Sequence, residues 1–133
     1  MASFPLQVVT PKGMRFDGQA ESIVITTTTG QVGIMAGHTN YMAAVAIGKV
    51  KLVTEGEARM AACGNGFLSV ENGKCTVLAN SFDFAEDLDT DKVRADLMTA
   101  NQLLATAKNG SDKTVAKDRI ALANVRLSIL ENE

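Results

Sequence analysis

The sequence predicts a fold in two parts: a β sandwich of about ten short antiparallel strands, followed by an antiparallel α-helical hairpin. Before residue 83, glycine is frequent, and apolar residues alternate with polar ones or occur in short runs. Beyond that point glycine almost disappears, and alanine, leucine and charged residues recur at helical spacing. We therefore expect a β-sandwich domain over residues 1–83 and a helix-turn-helix arm over residues 84–133.

The predicted strands are short segments that are β-branched or alternating and are separated by turn signals. Ser22–Thr28 is rich in β-branched residues, which favour a pleated surface. Lys49–Val53 alternates polar and apolar residues, as a half-buried strand does. Asp17–Gly18 is predicted to be a turn, and Asn72–Gly73 is the strongest hairpin signal in the chain.

The arm is predicted to contain helices over about residues 90–108 and 112–131, joined by a tight loop. Asp89 to Asp91 can cap the first helix, Asn109–Gly110 would end it, and Ser111 would cap the second. Because the loop is short, the helices should be antiparallel, with their apolar stripes in contact. These stripes contain Val93, Leu97, Ala100, Leu104 and Ala107 in the first helix, and Ile120, Ala123, Leu127 and Leu130 in the second.

Composition and charge exclude several classes of protein. The net charge of −2 and the lack of tryptophan argue against a nucleic-acid binder. No segment approaches the roughly 18 to 20 apolar residues that span a bilayer, so we expect no direct membrane insertion. The N-terminus has no basic region followed by an apolar run, so we expect no secretory signal. Cys63 and Cys75 lie in apolar, strand-like segments and are predicted to be buried free thiols.

No catalytic motif is recognisable, and we predict that the chain is not an enzyme in itself. It has no GxxxxGK[ST] phosphate loop, no GxSxG elbow and no HExxH helix. The single histidine, His38, lies in a predicted loop with no identifiable catalytic partner, which disfavours a small hydrolase or isomerase. An acidic run at the junction is interpreted as a linker with helix capping rather than a metal site. The run contains Asp83, Glu86, Asp87, Asp89 and Asp91.

Six segments, in order along the chain, resemble segments of the epsilon subunits of bacterial F-type (rotary) ATP synthases. The segment Gly30–His38, for example, is similar to the G-E-x-G-x-x-P-G-H motif of that family. No segment is decisive alone, but together they extend over both predicted parts. They are Val8–Gly13, Phe16–Gly18, Gly30–His38, Gly64–Val70, Thr76–Asn80 and Glu86–Asp89, the last followed by Arg94–Ala95.

The resemblance implies a central-stalk rotor subunit that couples proton translocation to ATP synthesis. The sandwich would link the gamma subunit to the c-ring. The hairpin would either fold against the sandwich or extend toward the alpha and beta catalytic subunits and inhibit ATP hydrolysis. The expected location is the cytoplasmic face of a bacterial plasma membrane, as a peripheral protein, although a plastid-encoded homologue would look similar. The alternative is a stand-alone β-sandwich interaction module of an unrelated complex.

The resemblance also implies site residues on the sandwich. Gln31, Gly33 and His38 match the family segment that faces the gamma subunit and the c-ring. Ala36 and Asn40 replace prolines of the family pattern, which leaves this loop less rigid.

On the arm, the resemblance implies a regulatory ATP site, and we expect no other cofactor and no metal. Asp91, Arg94 and Ala95 fit the D-x-x-R-A part of the family's ATP motif, and Arg126 matches a further basic position. Thr90 replaces the aliphatic residue of that motif. Basic residues of the second helix are expected to make inhibitory contacts with the catalytic subunits through charge complementarity. They are Lys113, Lys117 and Arg119.

Overall fold

In the computed structural model, which describes residues 2–131, nine strands precede a short 3-10 helix and two α helices. The strands are β1 Phe4–Thr10, β2 Gly13–Ala20, β3 Ser22–Thr27, β4 Gly30–Met35, β5 Tyr41–Thr54, β6 Glu57–Cys63, β7 Gly66–Glu71, β8 Lys74–Ala79 and β9 Phe82–Phe84. The helical elements are the 3-10 helix Ala85–Asp87, α1 Thr90–Thr106 and α2 Gly110–Glu131.

The strands form the predicted β sandwich, with nine strands rather than about ten. Their hydrogen-bonded order is β2-β1-β8-β7-β5-β3-β4, and β6 pairs with β5 and β9. The prediction that all strands are antiparallel is wrong, because β1 and β8 run parallel, with Leu6 beside Cys75. Strand β5 belongs to both layers: Tyr41–Val45 pairs with β7, and Gly48–Thr54 pairs with β6.

One apolar core lies between the layers and is built from every second residue of the strands. In β1, for example, Leu6 and Val8 are fully buried. Cys63 and Cys75 are free and buried, which confirms the prediction for both thiols. Burial raises the pKa of Cys63 from 9.0 to about 12 and the pKa of Cys75 from 9.0 to about 11.

Turn chemistry explains one confirmed and one wrong prediction. Asn72 and Gly73 have φ values of 52° and 81°, as the predicted tight hairpin requires. The turn predicted at Asp17–Gly18 is wrong, because both residues lie inside β2, where Gly18 pairs with Leu6. The ring of Phe16 lies against Gly18 from the same face of the strand and covers the position that lacks a side chain.

The two helices form the predicted hairpin, with altered ends. Asp89 caps α1, because its Oδ1 accepts a hydrogen bond of 3.0 Å from the backbone N–H of Asp91. Helix α1 ends at Thr106 rather than near residue 108. The prediction that Ser111 caps α2 is wrong: Oδ1 of Asn109 accepts from the N–H of Asp112 at 2.8 Å, and α2 begins at Gly110.

The arm packs against the sandwich through α2, which contacts β5, β6 and the 3-10 helix. A small docking cluster forms there around three buried residues, Ala62, Ala85 and Ile129. Partly buried apolar residues surround it: Met60, Leu88, Leu122 and Val125. Neither described α helix combines the length and the hydropathy that crossing a membrane requires.

Candidate partner-binding sites

An exposed row of apolar side chains crosses the outer face of the sheet formed by β2, β1, β8, β7 and β5. The register pairs Met14 with Val9, Val9 with Leu78, Leu78 with Phe67, and Phe67 with Ala44. Because directly paired residues project from the same face of a sheet, these five side chains form one line, here called the apolar row.

Three members of the apolar row are more than half exposed: Met14 at 52%, Phe67 at 60% and Leu78 at 51%. Val9, Ala44, Phe67 and Leu78 line one open groove, which is mainly apolar. Single exposed apolar residues are ordinary, but a contiguous apolar groove is typical of a surface that binds another protein. No local sequence pattern indicates this surface, because its members come from five separate strands.

The residues predicted to face rotor partners lie on one edge strand and the loop after it. Gln31 and Gly33 are exposed in β4, at the end of the strand order, and Met35 is exposed on the same face. Nδ1 of His38 donates a hydrogen bond of 2.7 Å to the carbonyl oxygen of Thr39. Its ring contacts that of Tyr41 at a centroid distance of 5.8 Å.

The residues predicted to bind ATP are not gathered in one place. Asp91, Arg94 and Ala95 are exposed on the first turns of α1. Arg94 lines a shallow depression on the outer side of α1, whereas Arg126 lines a different one between the two helices. The structure therefore brings three of the four residues onto one helix end and leaves Arg126 apart from Arg94.

Arg126 is held by the sandwich. Its Nη2 lies 2.8 Å from Oδ2 of Asp83, whose Oδ1 lies 3.3 Å from Nη2 of Arg15. Nε of Arg15 also donates to the carbonyl oxygen of Phe82 at 2.9 Å. Nε of Arg126 is buried and has no hydrogen-bond partner among the described protein atoms. Arg119 lines the same inter-helix depression as Arg126, so two guanidinium groups border one site.

The basic residues predicted to make inhibitory contacts are all exposed on α2. Lys113 and Lys117 are one helical turn apart, so they project from the same side of the helix. Arg119 instead borders the depressions between α1 and α2. Within residues 2–131, none of the three takes part in an ion pair.

The acidic run at the junction is used for contacts within the chain. Asp83 pairs with two arginines, Glu86 pairs with Arg59, and Asp89 caps α1. The guanidinium of Arg59 also lies 3.7 Å above the ring of Phe84. Across residues 2–131, no group of three potential metal ligands converges.

Comparisons with known proteins agree along the whole chain. Residues 3–85 match the family model described as ATP synthase, Delta/Epsilon chain, beta-sandwich domain. The ATP synthase epsilon chain of Ruminococcus albus is 30% identical over 130 residues, which cover 97% of each chain. The chloroplastic epsilon chain of Pyropia yezoensis is 30% identical over 122 residues, 92% of this chain and 91% of that one.

Solved structures show the same fold. A chain from the mitochondrial ATP synthase of Euglena gracilis superimposes with a TM-score of 0.80 at 18% sequence identity. The match covers 98% of this chain and 82% of that chain. A chain from the central stalk and c-ring assembly of Tetrahymena thermophila gives a TM-score of 0.62 at 17% identity.

A β sandwich with an exposed apolar row and a docked helical arm is typical of a subunit that binds other proteins. The family model and the full-length relatives then specify which one. The chain belongs to the ATP synthase epsilon chain family: it is a non-catalytic, central-stalk subunit of the F1Fo enzyme, peripheral to the membrane. Membership in this family replaces the alternative of a stand-alone interaction module.

Proposed function

We propose that this epsilon chain links the gamma subunit to the c-ring and so helps couple proton translocation to ATP synthesis. The apolar row carries the proposal, because Phe67 and Leu78 expose apolar surface that a partner subunit would bury. The gamma subunit is proposed to bind the apolar row.

The c-ring contact is proposed for the edge strand β4 and the loop after it, through Gln31, Gly33 and His38. Its support is that Gln31 and Gly33 are exposed beside Met35 at one edge of the sheet. His38, which is partly buried, lies in the loop that follows this strand. The side chain of His38 contacts Thr39 and Tyr41, which orders this loop locally. In a bacterium, this surface would face the cytoplasmic side of the plasma membrane.

The gamma contact is tested by removing the apolar row without changing charge. Phe67→Ser combined with Leu78→Ser should weaken binding to the cognate gamma subunit by at least about tenfold, since buried aromatic anchors dominate interfaces. Met98→Ser removes an equally exposed apolar side chain from α1, outside the row, and is the matched control. Isothermal titration calorimetry measures the affinity of each variant for the gamma subunit. Equal affinities for the two variants would show that gamma binds elsewhere.

The arm is proposed to restrain ATP hydrolysis when it extends toward the alpha and beta subunits. The free charges of Lys113, Lys117 and Arg119 support electrostatic contacts with acidic partner surface. Replacing all three by alanine should relieve inhibition of a catalytic complex that has been stripped of its own epsilon chain. A double alanine variant at Lys51 and Lys74, which lie on the sandwich, should inhibit like the unchanged chain. Undiminished inhibition by the triple variant would remove this part of the proposal.

A regulatory ATP site on the arm is also proposed, with Asp91, Arg94, Ala95 and Arg126 as its residues. The D-x-x-R-A pattern and the unpaired Nε of Arg126 support it. Because Arg94 and Arg126 line different depressions, binding requires side chains to move. Calorimetric titration of the full chain with ATP should detect binding that Arg94→Ala and Arg126→Ala each weaken. If both variants bind ATP as tightly as the unchanged chain does, any ATP site lies elsewhere.

A further inference from the structure

Asp83 joins three parts of the molecule that are far apart in sequence. It lies in β9, receives Arg15 from β2, and receives Arg126 from the last turns of α2. Arg126 and Asp83 are only 20% and 22% exposed, so water screens this pair less than it screens a surface ion pair. Among residues 2–131, it is the one ion pair that connects either α helix to the sandwich.

The remaining contacts between α2 and the sandwich are few. The docking cluster has only three buried members, and two of them, Ala62 and Ala85, are alanines. This cluster is small beside the sandwich core, so a charge-assisted hydrogen bond is a significant addition to the docking free energy. The contact is also incomplete, because Nε of Arg126 is buried without a partner among the described atoms. A buried unsatisfied donor is costly, so it offsets part of the stabilisation that the ion pair provides.

We propose that Asp83 is an ionic latch that holds the arm against the sandwich through Arg126, with Arg15 orienting the carboxylate from the opposite side. The latch concerns the position of the arm in the isolated chain. It therefore stands whether or not the arm inhibits hydrolysis. The neighbouring acids do not have this role: Glu86 pairs with Arg59 of the sandwich, and Asp87 is exposed.

The latch is tested by measuring how often the docking cluster opens. A thiol introduced by Ala85→Cys lies under α2, so its reaction with a disulfide reagent requires the arm to leave. The native Cys63 and Cys75 lie in the sandwich core and react only when the sandwich itself opens. They therefore provide an internal control for global unfolding in the same sample.

In this background, Asp83→Asn should accelerate labelling of the introduced thiol about tenfold, as expected for the loss of one charge-assisted hydrogen bond. Asp87→Asn makes the same charge change four residues along the junction and should leave the rate unchanged. Adding 0.5 M salt, roughly three times the physiological ionic strength, should accelerate labelling of the introduced thiol. The acceleration should be larger in the chain that retains Asp83 than in the Asp83→Asn variant. Labelling of Cys63 and Cys75 should stay slow in every case.

Two results would overturn the latch. One is equal labelling of the Asp83→Asn and Asp87→Asn variants. The other is an equal acceleration of Cys63 and Cys75, which would mean that Asp83 supports the sandwich rather than the docking of the arm. Arg126→Gln tests the same contact from the arm. Combining it with Asp83→Asn should give little further acceleration, because both substitutions remove one interaction. Additive effects would show that the two residues act separately.

Discussion

Ile129 of α2 is fully buried in the docking cluster, where it packs against the sandwich. Ile129→Ala should cost ~2–5 kcal/mol, the usual range for deleting a buried isoleucine side chain. That cost is comparable with the whole difference between two packings of a switchable element, which is about a few kcal/mol. We therefore expect the substitution to release the arm while the sandwich, whose core contains no residue of either helix, stays folded.

Small-angle X-ray scattering and thermal unfolding measure the two halves of this prediction. A compact chain of 133 residues has a radius of gyration of about 14 Å, and the released arm should increase it by several ångströms. The sandwich transition, followed by the fluorescence of Tyr41, should move by less than about 2 °C. Val115→Ala, at an exposed position of α2, is the control and should change neither value. An unchanged radius with a transition lowered by about 6 °C or more would refute the reasoning, because arm and sandwich would then unfold as one unit.

Two further predictions concern the sandwich. Gly66→Ala should lower the free energy of unfolding by ~2–4 kcal/mol, because a Cβ there would collide with the carbonyl oxygen of Leu78. Gly110→Ala, which meets no atom within 4 Å, should be nearly neutral, and equal thermal shifts for the two variants would contradict this account. The raised pKa values of Cys63 and Cys75 favour the protonated thiols of the folded state, so stability present below about pH 9 should fall as the pH rises toward 11. The loss at pH 10.5 should be ~2 kcal/mol per thiol, and urea unfolding of a double Cys→Ala variant should show a smaller fall; an equal fall would exclude the thiols as its cause.

Local signals in the sequence predict most of the elements. Asn72–Gly73 predicts its hairpin because a two-residue turn with positive φ favours that dipeptide. The same argument fails at Asp17–Gly18, because the ring of Phe16 covers the glycine and the strand continues. Polar and apolar residues do not alternate over Tyr41–Gly48, because β5 passes from one layer to the other within this segment.

The candidate sites depend on contacts between distant parts of the chain, which a single sequence does not display. The apolar row needs the parallel pairing of β1 with β8, where Val9 pairs with Leu78. Asp83 and Arg126 are separated by 43 residues, and each has a plausible local role in a linker or on a helix surface. The family resemblance indicated Gln31, Gly33 and His38 without indicating this second surface.

Strand β5 has a mechanical consequence. Its 14 residues form one strand with a length of about 45 Å along the chain, and Ala44 near one end belongs to the apolar row. The other end pairs with β6, and α2 rests on both strands. Gly48 makes the continuous path feasible, because a Cβ at that point would lie 2.6 Å from Oγ1 of Thr26. A force applied at the outer face is thus transmitted along one hydrogen-bonded strand to the surface on which α2 packs. A strand within a sheet is stiffer than a loop would be.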